Sequence, residues 1–400
     1  MSIKFPRFSA ILSAVALMSL VVPVLGQSTR PPERPPHPPP LISPQVHSDR
    51  SVTFRFRDPN ARRVMLSLEG DEHPMPMQRD AQGAWSVTTA PLAPEIYGYA
   101  FVADGVRLID PSNPLIKPNL LSPESMVEVP GSASLPWQIN DVPHGIVHHH
   151  FFHSDVVGDN RDFFVYTPPG YDSSRRKRYP VLYLLHGYSD DASAWTAVGR
   201  ANIILDNLIA EGKAKPMIVV MPLGYGAPEI LSRTGPGFRE RQLVHENAQK
   251  FGESLLTEVM PRVEKDYRVE RGRKNTAIAG LSMGGGESLF VGLNHLDQFA
   301  WIGSFSGAVP TLWNSESAHP RLPHTSPSLS PSVNSKVRLL WIACGEQDPL
   351  VGPANRRFDA WLHSHDIRFT EVWTPGVHSW MVWRGNLAAF VPLLFRKTNR

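Results

Sequence analysis

The chain has a single cysteine, Cys344, among 400 residues. No intrachain disulfide can form, so stability must come from packed cores. It also lacks any long block of like charge. Forty basic residues stand against 37 acidic ones, a formal net charge of +3. The absence of a basic stripe argues against nucleic acid as a partner. Beyond the N-terminal segment, no stretch stays apolar for the ~20 residues that a bilayer span needs. Gly224-Tyr225-Gly226 lacks the third glycine of a dinucleotide loop. No cofactor is implied. An apolar share of 42% and a charged share of 19% exclude a disordered or fibrous chain. No internal repeat is visible, and the length favours two domains.

Proline is what the chain has in excess, 39 residues. Part of that excess sits in PPERPPHPPPLISP, residues 31–44, an extended polyproline-type run. Ahead of it, Lys4 and Arg7 precede the almost wholly apolar Ala10 to Val22, and Val24-Leu25-Gly26 suits a cleavage site. The pattern predicts a signal peptide over 1–26, cut near Gly26-Gln27, and a Pro-rich linker over 27–44. The protein is then secreted or periplasmic, with no membrane association once the signal is removed.

Residues 45–135 read as short strands. Ser51 to Arg57 alternates apolar and polar positions, and Arg63 to Leu68, Gly83 to Val87 and Ile96 to Val102 follow. Asp104-Gly105 is a hairpin-type turn pair. Strands at this spacing predict a small β-sandwich. Trp85, Tyr97 and Tyr99 could stack on sugar rings, but burial of one sheet face makes core positions the simpler expectation for at least two of them.

Residues 145–397 change character. Phe163 to Tyr166, Val181 to Leu185, Met217 to Met221, Thr276 to Ala279 and Val337 to Ala343 are compact apolar runs suited to strands buried on both faces. Amphipathic stretches over 200–212, 250–267, 283–295 and 354–364 alternate with them. The alternation predicts a three-layer α/β domain around a mostly parallel sheet.

Gly280-Leu281-Ser282-Met283-Gly284 follows one such strand and opens a helix. That context is what a nucleophile elbow requires. Glycines flank a turn too tight for side chains, and the turn sets Ser282 at the positive end of the helix. A serine hydroxyl needs a base, and the base an orienting carboxylate, in the chain order Ser, acid, His for this architecture. Asp348 ends a strand and is the chosen acid, with Glu346 on the same turn as its rival. His378 follows the next strand, in a loop freed by Gly376. The oxyanion needs two donors. The N–H of Met283 supplies one. Val181 to Leu185 runs into His186-Gly187-Tyr188, which offers Tyr188 N–H as the second, with Gly187 the alternative. His186 precedes the serine and is expected to anchor this loop rather than act as base.

The combination LLHG, IAGLSMGGGES, CGEQDPL and GVHSW resembles the esterase D group of α/β-hydrolases. Within it the likeness is to feruloyl and acetyl xylan esterases of carbohydrate esterase family one. The resemblance implies a serine esterase that removes ferulate or acetate from plant xylan. Its nucleophile, acid and base fall on Ser282, Asp348 and His378, and its oxyanion donors on Tyr188 and Met283. Glu287 stands where a glutamine is expected. The strand order and turns of residues 45–135 resemble a family 48 carbohydrate-binding module, which in such esterases would frame the cleft. An enterochelin-type esterase and an acyltransferase share the elbow. The former would call for cations near the cleft, with Arg233, Arg239 and Arg241 as candidates. A catalytically inactive carbohydrate-binding protein is the reading from a different class.

Trp195, Trp313, Trp380 and Tyr225 are candidate substrate contacts, each more often packing than binding. Residues 308–336 have no clear period and could roof the acyl pocket. His148-His149-His150 with His153 suggests a metal clip, but neighbours on a strand face opposite ways, so no metal site is predicted.

Overall fold

The computed structural model describes residues 40–396 apart from 72, 132–133, 172–175, 233, 235–236 and 308–328. The expected signal peptide, most of the Pro-rich linker, residues 308–328 of the expected roof, Trp313 among them, and Arg233 lie outside the described residues.

The β-rich region contains β1 (Gln45–Val46), β2 (Val52–Arg57), β3 (Val64–Leu68), β4 (Met75–Pro76) and β5 (Gln78–Arg79). It continues with β6 (Ala84–Thr88), β7 (Glu95–Ala103), β8 (Val106–Leu108), β9 (Ile116–Lys117) and β10 (Glu124–Val129). One sheet has the order β1-β2-β6-β5, and the second β4-β3-β7-β10-β9 with β8 on β7. Asp104 and Gly105, at φ +47° and +90°, turn β7 back into β8 as that residue pair does best. The alternation in β2 and β3 sends Val52, Phe54, Leu66 and Leu68 into a core shared with Tyr99 and Phe101. Trp85, Tyr97 and Tyr99 are all buried there, each with its polar tip satisfied, by Asp58 O, Ala93 O and the Asp110 carboxylate respectively.

A third sheet is built from β11 (Ile146–Ser154), β12 (Asp159–Thr167), β13 (Val181–Leu185), β14 (Ile218–Pro222), β15 (Thr276–Leu281), β16 (Trp301–Phe305), β17 (Leu339–Gly345) and β18 (Thr370–Thr374). Its order is β11-β12-β14-β13-β15-β16-β17-β18, antiparallel at β11 and β12 and parallel beyond. Every residue of β13, β14, β15 and β16 is buried, because helices cover both faces. α1 (Ala201–Ala210) and α5 (Trp380–Phe390) close one core over Trp195, Leu182, Phe305 and Trp341. α2 (Arg241–Ser254), α3 (Ser282–Asn294) and α4 (Gly352–Ser364) close the other over Tyr183, Ile278, Phe299 and Ile342. These are the expected three layers.

The helix expected over 250–267 begins earlier, at Arg241, and passes through a π turn at Leu255–Val259. Its first two turns carry Arg241, Gln242, His245 and Glu246, so few apolar positions mark the start. From β13 the chain moves first outward to β14 and then back across to β15. The strand order reverses there, and the loops leaving β13 and β15 part to open a crevice.

The β-rich and α/β parts share buried contacts. Ile96 and Met126 belong to the same apolar cluster as Trp195 and Trp380. Arg384 of α5 is wholly buried and donates to the Glu95 carboxylate at 3.1 Å, to Ile96 O at 2.6 Å and to Val198 O at 3.0 Å.

Candidate active site

Ser282 directly follows β15 and opens α3, with φ +49°. An L-residue enters that left-handed region only at a cost of about 1–3 kcal/mol, met by surrounding structure. The flanking glycines show why nothing larger fits. A Cβ on Gly280 would lie 2.4 Å from Gly284 O, and one on Gly284 2.4 Å from His186 O. The elbow therefore presses directly on the end of β13.

Ser282 Oγ lies 3.0 Å from His378 Nε2, and His378 Nδ1 lies 2.6 Å from Asp348 Oδ2. The other carboxylate oxygen of Asp348 accepts from the N–H groups of Leu350 and Val351 at 2.9 and 3.0 Å. Burial alone would raise the Asp348 pKa. The hydrogen bond and charge of His378, with those two backbone donors, outweigh it and hold the carboxyl below its ordinary value. The Glu346 carboxylate is exposed and accepts from its neighbour Gln347, so the turn brings Asp348 and not Glu346 to the imidazole. The two loops are laced together. Glu346 N donates to Thr374 O and Gln347 N to Gly376 O, while Gly376 N donates to the Gln347 side chain.

The loop after β13 is aimed by its carbonyls. Gly187 O accepts from His186 Nδ1 at 2.8 Å, Asp190 N at 3.3 Å and Tyr225 Oη at 3.4 Å. A trans peptide points its N–H opposite to its C=O. With Gly187 O drawn toward these three donors, Tyr188 N–H of the same peptide points the opposite way. A Cβ on Gly187 would sit 3.4 Å from Ser282 Cβ and 2.6 Å from Leu281 Cδ1, so this glycine lets the loop approach the elbow. Met283 N–H lies in the first turn of α3, where no intrahelical acceptor exists. The next donor, Gly284 N, is taken by His186 O.

His186 accepts from Gly224 N through Nε2, so its proton is on Nδ1. Burial pushes its pKa down to about 4, against a smaller opposing effect of the Gly187 bond. It is a neutral strut for the loop, as its place in the chain suggested. Glu287, one turn beyond the elbow, is buried with Asn247 Nδ2 donating to one oxygen, while the other has no partner among the described residues. Burial raises its carboxyl well above the ordinary range. A protonated glutamate is close in shape to the glutamine expected there.

The crevice is a cleft of about 590 Å³ lined by Ser282, His378, Tyr188 and Gly187, with Phe238, Leu350, Val351 and Trp383 as its apolar wall. Trp380 also borders it. Two other aromatic expectations need correction. Trp195 is wholly buried beneath the sheet end with Nε1 donating to Leu185 O, and Tyr225 is buried with its hydroxyl donating to Asp190 O. Both brace the loop and neither borders the cleft. Arg239 and Arg241 do not line it either.

Three cleft residues come from the β-rich region: Glu69, Lys117 and Asn119. Lys117 Nζ lies 3.2 Å from Glu69 Oε2 and 3.0 Å from Glu124 Oε2. Burial would lower the Lys117 pKa, but the two carboxylates more than reverse this. Local pattern could not reveal these residues, because they reach the site only through pairing of distant segments. On β11, His149 stacks on Phe164 at 3.9 Å while His148 and His150 take the other face against Tyr267. Among the described residues no group of three or more His, Cys, Asp or Glu is placed to hold a metal. No helix among them is long and apolar enough to cross a membrane.

Residues 154–394 match the family model for Esterase, described as "Putative esterase". Over 363 residues the chain is 29% identical to an endo-1,4-beta-xylanase/feruloyl esterase of Xylanibacter ruminicola. The match covers 88% of this chain and 46% of that protein, so the chain spans about half the length of this relative. A CE1 ferulic acid esterase of Anaeromyces mucronatus, solved with ferulic acid, superposes with a TM-score of 0.54 at 25% identity, covering 64% of this chain and 93% of that one. The enterobactin esterase of Shigella flexneri superposes with a TM-score of 0.62 at 20% identity, covering 86% and 92%. At that identity the likeness is one of fold.

Proposed function

Because the chain belongs to the Esterase family, we propose that it is a serine carboxylic-ester hydrolase that removes feruloyl or acetyl groups from xylan. The observation that carries the mechanism is the hydrogen-bonded relay, 3.0 Å from Ser282 Oγ to His378 Nε2 and 2.6 Å from His378 Nδ1 to Asp348 Oδ2. Ser282 Oγ attacks the ester carbonyl as His378 Nε2 takes its proton. Asp348 keeps the ring in the tautomer with Nδ1–H and balances the imidazolium. The carbonyl oxygen becomes an oxyanion that the N–H groups of Tyr188 and Met283 receive. The alcohol leaves with the proton from His378. Water, deprotonated by the same imidazole, then cleaves the acyl-enzyme and frees the acid.

The apolar wall of Phe238, Leu350, Val351 and Trp383 suits an aromatic acyl group. Charge weighs against a polyanionic catecholate ester. Among the described residues lining the cleft, Lys117 is the one lysine or arginine, and two carboxylates already balance it. The N-terminal segment supports secretion, where a cell-wall substrate would be met. The β-rich region serves this reading as a wall of the cleft, since its aromatic residues Trp85, Tyr97 and Tyr99 are buried.

Product analysis on feruloylated xylan, acetylated xylan and a catecholate siderophore tests the proposal. Release of ferulate or acetate that Ser282→Ala abolishes supports it. Cleavage of the siderophore alone, or no serine-dependent hydrolysis, overturns it.

A further inference from the structure

The segment joining β9 to β10 reaches over to the loop that carries the expected oxyanion donor. Asn119 Nδ2 donates to Ser189 Oγ at 2.9 Å and to Asp190 Oδ1 at 3.2 Å. The next residue adds a backbone bond, Leu120 N to Ser189 O at 2.7 Å. Ser189 has φ +67°, a left-handed conformation that serine holds only where its surroundings impose it. It directly follows Tyr188.

Asn119 is itself rigid. Its Oδ1 accepts from Leu121 N at 3.0 Å and Ser122 N at 2.8 Å, so both ends of the amide are engaged. Both amide protons go to the loop and both oxygen lone pairs go to its own turn. The side chain has one orientation that satisfies all four bonds. The loop is gripped from two sides: Tyr225 Oη, from the α/β part, donates to Asp190 O at 2.7 Å.

We infer that Asn119, carried by the β-rich region, is a positioning residue that holds Ser189 and thereby aims Tyr188 N–H at the oxyanion. The inference rests on the serine-hydrolase reading given above. Asn119 touches no reacting atom in this account. It acts through the loop, and displacement of a catalytic group by about 1 Å can cost ~100-fold in rate. The β-rich region then contributes to the chemistry itself.

Two variants test this. Asn119→Asp keeps the oxygen that orders the turn and removes both donors to the loop. Ser189→Ala removes one of the two side-chain acceptors, the hydroxyl on the residue after Tyr188, and leaves Asn119 intact. Each is compared with the wild type on 4-nitrophenyl acetate at a temperature below the unfolding transition. Inhibition by benzeneboronic acid, which forms a tetrahedral adduct on the serine with an oxygen in the oxyanion position, is measured alongside. The inference predicts a kcat lower by about 10–100-fold in both variants with KM within about twofold, and boronate inhibition weakened in parallel. The double variant should fall little below the worse single one, since both changes break one clamp. Folded variants that keep wild-type kcat and boronate affinity overturn the inference. A wild type with no turnover that depends on Ser282 overturns the serine-hydrolase reading instead, and the inference falls with it.

Discussion

The backbone N–H of Trp380 donates to Glu69 Oε1 at 3.1 Å, joining residues 311 positions apart in the chain. Trp380 stands two residues after His378, so a carboxylate of the β-rich region fixes the start of α5 just beyond the imidazole. Glu69 also accepts from Gly98 N and pairs with Lys117. Burial would raise its pKa, but Lys117 and Arg384 with the two backbone donors hold it below the ordinary value.

Glu69→Ala leaves Lys117 with one carboxylate in a largely buried setting. Lys117 keeps Glu124, so the cost falls on the N–H groups of Gly98 and Trp380, which lose their acceptor, at about 1–3 kcal/mol. Urea unfolding should show a loss of that size, and activity should fall at temperatures where the variant is still folded, because the His378 loop loses its tether.

The carboxylate assignment predicts a contrast. Asp348→Asn should lower kcat by about 1,000-fold or more, since an amide at the 2.6 Å contact favours the wrong imidazole tautomer. Glu346→Gln, on the exposed side of the same turn, should stay within about twofold. Steady-state kinetics on one chromogenic ester decides it.

Gly280→Ala tests the elbow. Its new Cβ would meet Gly284 O at 2.4 Å and Leu185 Cβ at 2.8 Å, and backbone cannot yield as a side-chain tip does. A cost of about 1–3 kcal/mol is expected. Activity should fall even where the variant remains folded.

Asp190 predicts a pH dependence. Burial, opposed by Lys117 and the bonds from Asn119 and Gly187, raises its pKa to about 7 from an ordinary 3.8. The folded state therefore binds this proton more tightly than the unfolded state. The stability it contributes is full below pH 3.8 and is lost as pH rises through about 7. Asp190→Asn keeps an oxygen for Asn119 and removes the titration. Unfolding midpoints measured from pH 4 to 8 should fall less with rising pH in the variant than in the wild type.

The elbow was readable in the residues because its demands are local. A strand, two glycines around Ser282 and a helix leave few alternatives, and Asp348 and His378 follow at strand ends in the order this fold requires. Burial on both faces made β13, β15 and β17 visible as apolar runs. β11 was harder to see as a strand, since His148 to His153 shows no apolar alternation at a sheet edge. Glu69, Lys117 and Asn119 had no local signature at all. Their role arises where the β-rich region meets the α/β sheet, and only three-dimensional pairing makes that visible. Trp195 and Tyr225 fit a substrate wall by residue type, yet both satisfy their polar tips under the loop, which the sequence does not reveal.

The account depends most on Ser282 being the nucleophile. Incubation with diethyl 4-nitrophenyl phosphate, followed by peptide mass spectrometry, tests this directly. The serine oxygen displaces 4-nitrophenolate and retains the diethylphosphoryl group. We predict one such group per chain, on the peptide containing Ser282, with activity lost in proportion and no labelling of Ser282→Ala. An unlabelled Ser282 in an enzyme that still cleaves esters would contradict the account.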